Sequence, residues 1–370
     1  MPHFIPGLVL SQRFYTEVVE RNLERYFPDL QYAAARIGPG SEVLGFDTAM
    51  SMDHDWGPCL NILLSDRDAY LADSIYAMLC QELPKRFAGY PVDTSLVIHS
   101  LEDGGEAELS AGVHSHGVLV SSLRAFIWQA IAHDIDVPLI AADWLTIASQ
   151  KLLELTAGAV YYDNWGALTG FRAQMAYYPH DIWLYLLASG WQRIGQEEHL
   201  MPRAGYVGDE LGSALIGSRL VHDIMWLAFL MERRYAPYPK WFGSAFQQLH
   251  SATILTPILH NAQHAPTWQQ REDALCQAYE QLVLQHNALQ ITTPLLSNVS
   301  SFYTRPFRVI QGERLATALL EQIQDPEIQR IAANGLIGSI DQWSDNTDIR
   351  SNAQWRCYLR NLYVAEHLGE

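Results

Sequence analysis

The sequence predicts an α+β protein in two parts, a mixed sheet with helices in residues 1–123 and a mostly helical part in residues 124–370. Two observations carry this prediction. In the first part, short runs typical of strands alternate with helical segments. After Leu123, long segments with a 3.6-residue apolar period dominate, and prolines separate them. The chain is long enough to bury two cores, one in each part.

The elements of the first part follow from apolar patterning and from turn residues. We expect, in chain order, a helix capped by Ser11 and ending near Phe27, a strand at 31–37, a strand at 59–64, a helix at 69–82, and strands at 95–99 and 117–121. Residues 101–112 are acidic and rich in glycine, which favours a loop.

The second part contains three segments with strong helical periodicity. These segments are 181–198, 209–234 and 269–290. The pattern also favours a helix at 325–334 and an extended stretch at 302–309. No internal repeat or low-complexity linker interrupts the chain.

Composition narrows the classes of function. The net charge of −17 repels polyanions, so we expect no general binding of nucleic acid. Four distant cysteines without a CxxC pair argue against a zinc site and a disulfide framework, and fit a reducing compartment. The N-terminus lacks a basic region and a cleavage motif, and we find no apolar stretch of membrane-spanning length. We therefore expect a soluble, cytoplasmic protein.

The most informative motif begins at Gly40-Ser41 and ends, after eleven intervening residues, at Asp53-His54-Asp55. Two carboxylates at positions i and i+2 of a strand point to the same face, where they can bind a hard divalent cation. A Gly-Ser turn offers backbone N–H groups and a hydroxyl to phosphate oxygens. Phosphoryl and nucleotidyl transfer need both features together. The alternative is a turn-rich loop with two solvated aspartates, and the strand-like segments on either side favour the site.

This motif resembles the signature of the nucleotidyltransferase superfamily that includes DNA polymerase beta and the kanamycin nucleotidyltransferases. Several segments along the chain resemble a bacterial family of unassigned function that carries such a domain. These segments are GFDT, DHDWGP, AADWLTI, YYPHDIWLYLL and ERRYAPYPKWFG. The resemblance implies a nucleotidyltransferase-like fold in residues 1–123. It also implies Mg²⁺ or Mn²⁺ at Asp53 and Asp55, and a nucleoside triphosphate whose phosphates lie on Gly40 and Ser41.

The sequence departs from the superfamily pattern at one position. In that pattern a later strand of the same sheet supplies a third carboxylate, and the segment 117–121 contains none. The nearest acids in the sequence are Asp93, Glu106 and Glu108, and none lies in the middle of a predicted strand. Without a third ligand the second metal ion is held weakly, which puts catalysis in doubt.

A second constellation lies in the segment 232–241, which carries three cations and three aromatic residues in ten positions. Arg234 and Lys240 are candidates for binding phosphate, and the neighbouring aromatic rings for stacking on a base. By analogy with the aminoglycoside-modifying members of the superfamily, Glu232 is a candidate catalytic base. The alternative is structural: the arginines complement the helix dipole and the tyrosines pack.

Three hypotheses follow. The first is an enzyme that uses Mg²⁺ to transfer a nucleoside monophosphate from a nucleoside triphosphate to a hydroxyl of a small molecule or a protein. The second is a nucleotide- or metabolite-binding protein of the same fold that has lost turnover. The third is an interaction protein whose aromatic-rich helical part docks a partner. The first two place a cleft between the two parts of the chain.

Overall fold

The computed structural model describes residues 3–53, 56–93 and 115–364, and describes Asp53 through its backbone only. Within it the chain forms two compact units. The first unit consists of Met1–Pro138 and Lys151–Ala176, and the second of Leu139–Gln150 and Tyr177–Glu370.

The first unit combines short helices with a four-stranded sheet. Its helices are α1 (Gly7–Phe14), α2 (Glu20–Tyr26), α3 (Ala72–Glu82), α4 (Leu123–Ile131), α6 (Ser149–Thr156, which begins in the second unit) and α7 (Ala167–Gln174). Its strands are β1 (Tyr32–Arg36), β2 (Leu60–Leu64), β5 (Val118–Ser122) and β6 (Ala159–Asp163), with a small hairpin of β3 (Arg86–Phe87) and β4 (Tyr90–Pro91). A π-helical turn, Tyr15–Val19, joins α1 to α2, and 3₁₀ turns lie at Ala49–Asp53 and Ala69–Leu71.

The sheet has the strand order β5-β2-β1-β6. Strand β2 pairs parallel with β5, with Leu60 opposite Val118. Strand β1 pairs antiparallel with β2 and with β6, and its register against β6 shifts between Ala34 and Ala35. The sheet is therefore mixed, as the sequence predicts.

The two central strands are buried along their whole length. All five residues of β1 and all five of β2 are buried, which explains why both segments are mostly apolar in sequence. Phe14 and Val19 from the N-terminal helices pack in the same core as Ile62 of β2. The Tyr15 and Tyr32 hydroxyls lie 3.0 Å apart in this core.

The N-terminal helix begins earlier than the sequence predicts. It starts at Gly7, and Ser11 is buried inside it, so the predicted capping role of Ser11 is wrong. The carboxylate of Asp47 instead accepts a 2.7 Å hydrogen bond from the Gly7 N–H, one of the donors that a helix start leaves without a partner. The cap thus comes from a residue distant in sequence.

In its described residues, the second unit has helices as its regular structure apart from one hairpin. Its helices are α5 (Ala141–Thr146), α8 (His180–Glu197), α9 (Leu200–Tyr206), α10 (Glu210–Met231), α11 (Pro239–Phe246), α12 (Ala252–His264), α13 (Trp268–Ala288), α14 (Gly312–Leu320), α15 (Pro326–Ala333), α16 (Ile340–Trp343), α17 (Thr347–Ser351), α18 (Arg356–Leu359) and α19 (Asn361–Val364). The hairpin pairs β7 (Ser300–Ser301) with β8 (Arg308–Val309), and a 3₁₀ turn lies at Ala353–Trp355.

Helix α10 has the length and composition of a membrane span. It has 22 residues, and 61% of its most apolar window is buried inside the protein, as in the core helix of a helical bundle. Among the described residues it is the one helix with this property. The expectation that no apolar stretch reaches spanning length is therefore wrong for α10, and burial in the core accounts for its composition.

The predicted fold class is confirmed: a mixed sheet with helices is followed by a largely helical remainder. The strands at 31–37, 59–64 and 117–121 and the three long helices are present. The segments 95–99 and 101–112 lie outside the described residues. Strand β6 was not predicted, and through it the first compact unit extends past residue 123. A domain boundary between residues 123 and 124 stays a prediction.

Candidate functional site

The Gly40–Ser41 turn begins a short distance after the central strand β1, which ends at Arg36. Residues 41–45 form consecutive turns, closed by hydrogen bonds from the Phe46 N–H to the Ser41 carbonyl (2.9 Å) and from the Gly45 N–H to the Glu42 carbonyl (3.2 Å). Gly40 has φ +145°, a conformation that residues with a side chain rarely adopt. The backbone at this point therefore requires glycine.

A buried arginine, Arg36, supports the turn through an ion pair and hydrogen bonds. The Arg36 guanidinium forms an ion pair with the Glu42 carboxylate, in which Nε lies 2.8 Å from Oε1. It also donates to the carbonyl oxygens of Ile37 (3.2 Å) and Pro39 (2.9 Å). A Cβ on Gly40 would lie 2.7 Å from both the guanidinium and the carboxylate. This close approach is a second reason for glycine at position 40.

Three further contacts fix the ends of the turn. The Gly38 N–H donates to the Glu154 carbonyl at the end of α6 (2.9 Å), and the Gly158 N–H donates to the Val43 carbonyl (3.0 Å). On the sheet side, the Ile37 N–H donates to the side-chain oxygen of Asn61, a buried polar residue in the middle of β2 (3.1 Å). The turn is therefore anchored to its own strand, to the neighbouring strand and to the loop before β6.

Asp53 ends the 3₁₀ turn Ala49–Asp53, and strand β2 begins only at Leu60. The expectation that the acidic pair lies on a strand is therefore wrong for Asp53. Asp55 and His54 lie outside the described residues, and so does the Asp53 side chain. The predicted roles of Asp53 and Asp55 in metal binding and catalysis stay predictions. Among the described side chains, which include neither Asp53 nor Asp55, no group of three histidine, cysteine or acidic residues could hold a metal ion.

Of the candidates for the third carboxylate, Asp93 is described and Glu106 and Glu108 are not. Asp93 is buried and forms an isolated antiparallel bridge with His116, two residues before β5 begins. Strand β5 pairs with β2 from Leu60 onward, and the Gly117 backbone lies against Pro58 and Cys59. Asp93 thus lies near the end of the sheet at which the parallel strands β2 and β5 begin.

The side chains around Asp93 have structural roles. Burial raises the pKa of the Cys80 thiol, and the charge of Asp93 adds to this effect. His116 uses both ring nitrogens for backbone contacts: Nε2 donates to the Tyr76 carbonyl (3.3 Å) and Nδ1 accepts from the Val118 N–H (3.3 Å). Burial lowers the pKa of His116, so the ring is neutral at pH 7. These contacts leave neither nitrogen for a metal ion.

The segment 232–241 lies in the second unit, after α10. Glu232 caps the start of α12: its carboxylate accepts from the backbone N–H groups of His250 and Ser251 (2.8 Å each) and from the Ser251 hydroxyl (2.6 Å). A catalytic Glu232 would have to act in competition with these bonds. The role of this residue as a base stays a prediction.

The three cations of the segment are exposed. Arg233 has φ +51°, and its guanidinium lies 4.0 Å from the Trp183 ring centroid, within range of a cation–π interaction. Lys240 lies 5.0 Å from the Trp241 ring centroid. Arg234 and Lys240 are therefore accessible to a phosphate group, as phosphate binding by this segment requires. Tyr235 is buried, as the alternative of a purely structural segment requires.

Sequence reasoning did not find the residues that shape the turn. Arg36, Glu42, Asn61 and Asp47 build it or its surroundings, and none was predicted. Two signals were available: an arginine closes an otherwise apolar strand, and an asparagine interrupts another. Buried polar residues of this kind are usually hydrogen-bonded to backbone or paired.

Comparisons with known proteins give limited matches. The family model described as "Domain of unknown function (DUF4037)" matches residues 144–242. This span contains most of three segments named in the sequence analysis, AADWLTI (141–147), YYPHDIWLYLL (177–187) and ERRYAPYPKWFG (232–243). A similar solved structure is that of a nucleotidyltransferase-like protein from Exiguobacterium sibiricum 255-15, with 11% identity, a TM-score of 0.30, and coverage of 77% of this chain and 78% of that chain. No curated protein matches.

Proposed function

We propose that the protein is a nucleotidyltransferase that uses Mg²⁺ (or Mn²⁺) to transfer a nucleoside monophosphate from a nucleoside triphosphate to a hydroxyl. One observation carries the proposal: the Gly40–Ser41 turn of the sequence motif follows a buried central strand and is fixed by the buried Arg36–Glu42 pair. A phosphate-binding turn must be rigid before its ligand arrives, because ordering it afterwards lowers affinity.

Each residue of the motif has a role in this proposal. Backbone N–H groups at Gly40 and Ser41 and the Ser41 hydroxyl bind phosphate oxygens. The Asp53 and Asp55 carboxylates are the ligand type that Mg²⁺ prefers. Mg²⁺ bound to these carboxylates would neutralise phosphate charge and orient the triphosphate. Arg234 and Lys240 are the candidates for neutralising phosphate charge, and Glu232 for taking the acceptor's proton.

The net charge of −17 favours a small molecule or a protein side chain as acceptor over nucleic acid. We also propose that the protein acts in the cytoplasm, because its four distant cysteines without a CxxC pair fit a reducing compartment.

A second candidate is a nucleotide- or metabolite-binding protein without turnover. Strand β5, the later strand that pairs with β2, carries no carboxylate. Without a third ligand, binding of one metal–nucleotide complex persists while activation of the acceptor hydroxyl fails.

Calorimetry with ATP, GTP, CTP and UTP, with and without Mg²⁺, tests the shared part of both candidates. We expect binding that requires the metal and that disappears in Asp53→Asn/Asp55→Asn. The matched control is Asp134→Asn/Asp136→Asn, an aspartate pair of the same spacing that forms ion pairs with Arg124. Metal-dependent affinity that survives in the first variant would reject the site. Pyrophosphate release in a screen of hydroxyl acceptors then separates the enzyme from the binding protein.

A further inference from the structure

Two histidines lie one helical turn apart on the solvent face of α12. The helix buries Leu255, Leu259 and Ala262 and exposes His260 and His264. Residues at positions i and i+4 of a helix are neighbours on its surface. Here the two imidazole ring centroids are 5.8 Å apart with an interplanar angle of 27°. The pair belongs to the second unit and has no part in the proposed nucleotide site.

A hydrogen bond fixes the tautomer of one ring. His264 Nδ1 lies 2.8 Å from the His260 carbonyl oxygen. Because a carbonyl only accepts, Nδ1 must carry the proton, which leaves the Nε2 lone pair of the neutral ring free for a ligand. Histidines that bind metals usually donate their second N–H to a backbone carbonyl or a carboxylate in this way. The orientation of His264 is therefore set before any ligand binds.

The electrostatic surroundings favour a cation. His264 is the last residue of α12, where the free carbonyls give the helix a partial negative charge. The sequence of α12 contains no aspartate, glutamate, lysine or arginine, so no charged side chain of the helix competes for the two rings. The negative charge of the whole chain adds a long-range attraction.

We propose that His260 and His264 form a two-histidine site for a borderline divalent transition-metal ion, Zn²⁺, Ni²⁺ or Cu²⁺. Imidazole nitrogen suits these ions, whereas Mg²⁺ prefers oxygen ligands. Two protein ligands leave the remaining coordination positions to water or to a ligand from another molecule. The site therefore differs in chemistry from the acidic pair near the Gly-Ser turn.

Calorimetric titration with Ni²⁺ tests the proposal on the whole protein, in the presence of millimolar-range Mg²⁺ that occupies sites with oxygen ligands. The variants are His260→Gln, His264→Gln and the double variant, with His250→Gln as a matched control that removes a single exposed histidine. Loss of groups that merely orient metal ligands costs about 10–100-fold in affinity. We expect each ligand variant to lose at least about tenfold, and His250→Gln to bind as the wild type does.

Thermal unfolding provides a second readout. Without metal, all variants should unfold as the wild type does, because the substituted side chains are exposed. With Ni²⁺ the wild type should unfold at a higher temperature, since an ion that binds the folded state stabilises it, and the double variant should lose this gain. An equal Ni²⁺ affinity in the wild type and the double variant would overturn the proposal, and so would the absence of Ni²⁺ binding to the wild type.

Discussion

Arg36 and Glu42 form a buried ion pair on the inner side of the Gly40–Ser41 turn. The two side chains are 10% and 4% exposed, and the guanidinium also donates to the carbonyl oxygens of Ile37 and Pro39, which precede the turn. A buried pair is costly to desolvate, and its retention often serves to specify one conformation. In this protein the conformation that it specifies is that of the proposed phosphate-binding turn.

Glu42→Gln should destabilise the protein by about 3–5 kcal/mol, because it leaves the Arg36 charge buried and unpaired. Replacement of both partners by apolar residues, Arg36→Met/Glu42→Leu, should cost less than the sum of the two single replacements. Urea unfolding of the wild type, Glu42→Gln, Arg36→Met, Glu42→Leu and the double variant measures both statements. Additive costs in this cycle would show that the two side chains do not depend on each other.

The two glycines of the turn region make a matched pair for testing its geometry. Gly40 and Gly45 both have positive φ, at +145° and +76°. A Cβ at position 40 would lie 2.7 Å from the Arg36 and Glu42 side chains, whereas none of the described atoms lies within 4 Å of one at position 45. Gly40→Ala should therefore cost more stability and more nucleotide affinity than Gly45→Ala. Urea unfolding and calorimetry with Mg²⁺ and the best-bound nucleotide measure the difference, and equal losses would contradict it.

Elements specified by their own residues were predictable from the sequence, and elements specified by distant contacts were not. Strands β1 and β2 are mostly apolar because both of their faces are buried, so the pattern alone reveals them. Strand β6 (AVYYD) has mostly half-buried residues, and its place in the sheet comes from antiparallel pairing with β1, which is distant in sequence. The start of α1 depends on Asp47, forty residues away, which local capping rules do not consider.

The candidate site shows the same division. The Gly-Ser turn is specified locally, since residue 40 needs a conformation that glycine adopts readily. The residues that support the turn come from β1, β2 and the end of α6, and only the folded sheet brings them together. Glu232 was predicted as a base by analogy with the aminoglycoside-modifying enzymes, yet its carboxylate caps a helix that begins about twenty residues later. Sequence spacing does not reveal such a contact.

His286 should give the second unit a pH-dependent stability. The ring is fully buried, its Nε2 lies 3.0 Å from Thr292 Oγ1, and burial lowers the pKa of His286 to about 4. The unfolded chain takes up a proton near the ordinary histidine value of about 6.5, and the folded chain does so only near pH 4. The free energy of unfolding should therefore fall by on the order of 3 kcal/mol as the pH falls from about 6.5 to 4.

Glu198 works against this trend, because burial raises the pKa of its carboxyl to about 7 and stabilises the protonated folded state below that pH. The measurement is therefore a difference between proteins. Urea unfolding at several pH values between 4 and 7 should show that His286→Gln loses less stability on acidification than the wild type does. His250→Gln, which removes an exposed histidine, should keep the wild-type slope. Equal slopes in all three proteins would show that His286 titrates alike in the folded and unfolded chain.

The last prediction concerns the third carboxylate, on which turnover depends. Asp93 is our first choice because it is buried beside the start of β5, at the edge of the sheet where the chain enters β2. If it binds the second metal ion or takes the acceptor's proton, Asp93→Asn should lower the rate of pyrophosphate release by at least about a hundredfold. The affinity for the first metal–nucleotide complex should change little, because that complex depends on the Asp53 and Asp55 carboxylates.

Asp68→Asn is the matched control, since Asp68 is a buried carboxylate of the same unit that binds Arg67 and the Gln31 N–H. Stability should fall in the control while turnover at saturating nucleotide persists. Full turnover in Asp93→Asn would move the assignment to Glu106, Glu108 or Glu232, to be tested by the same split between rate and affinity.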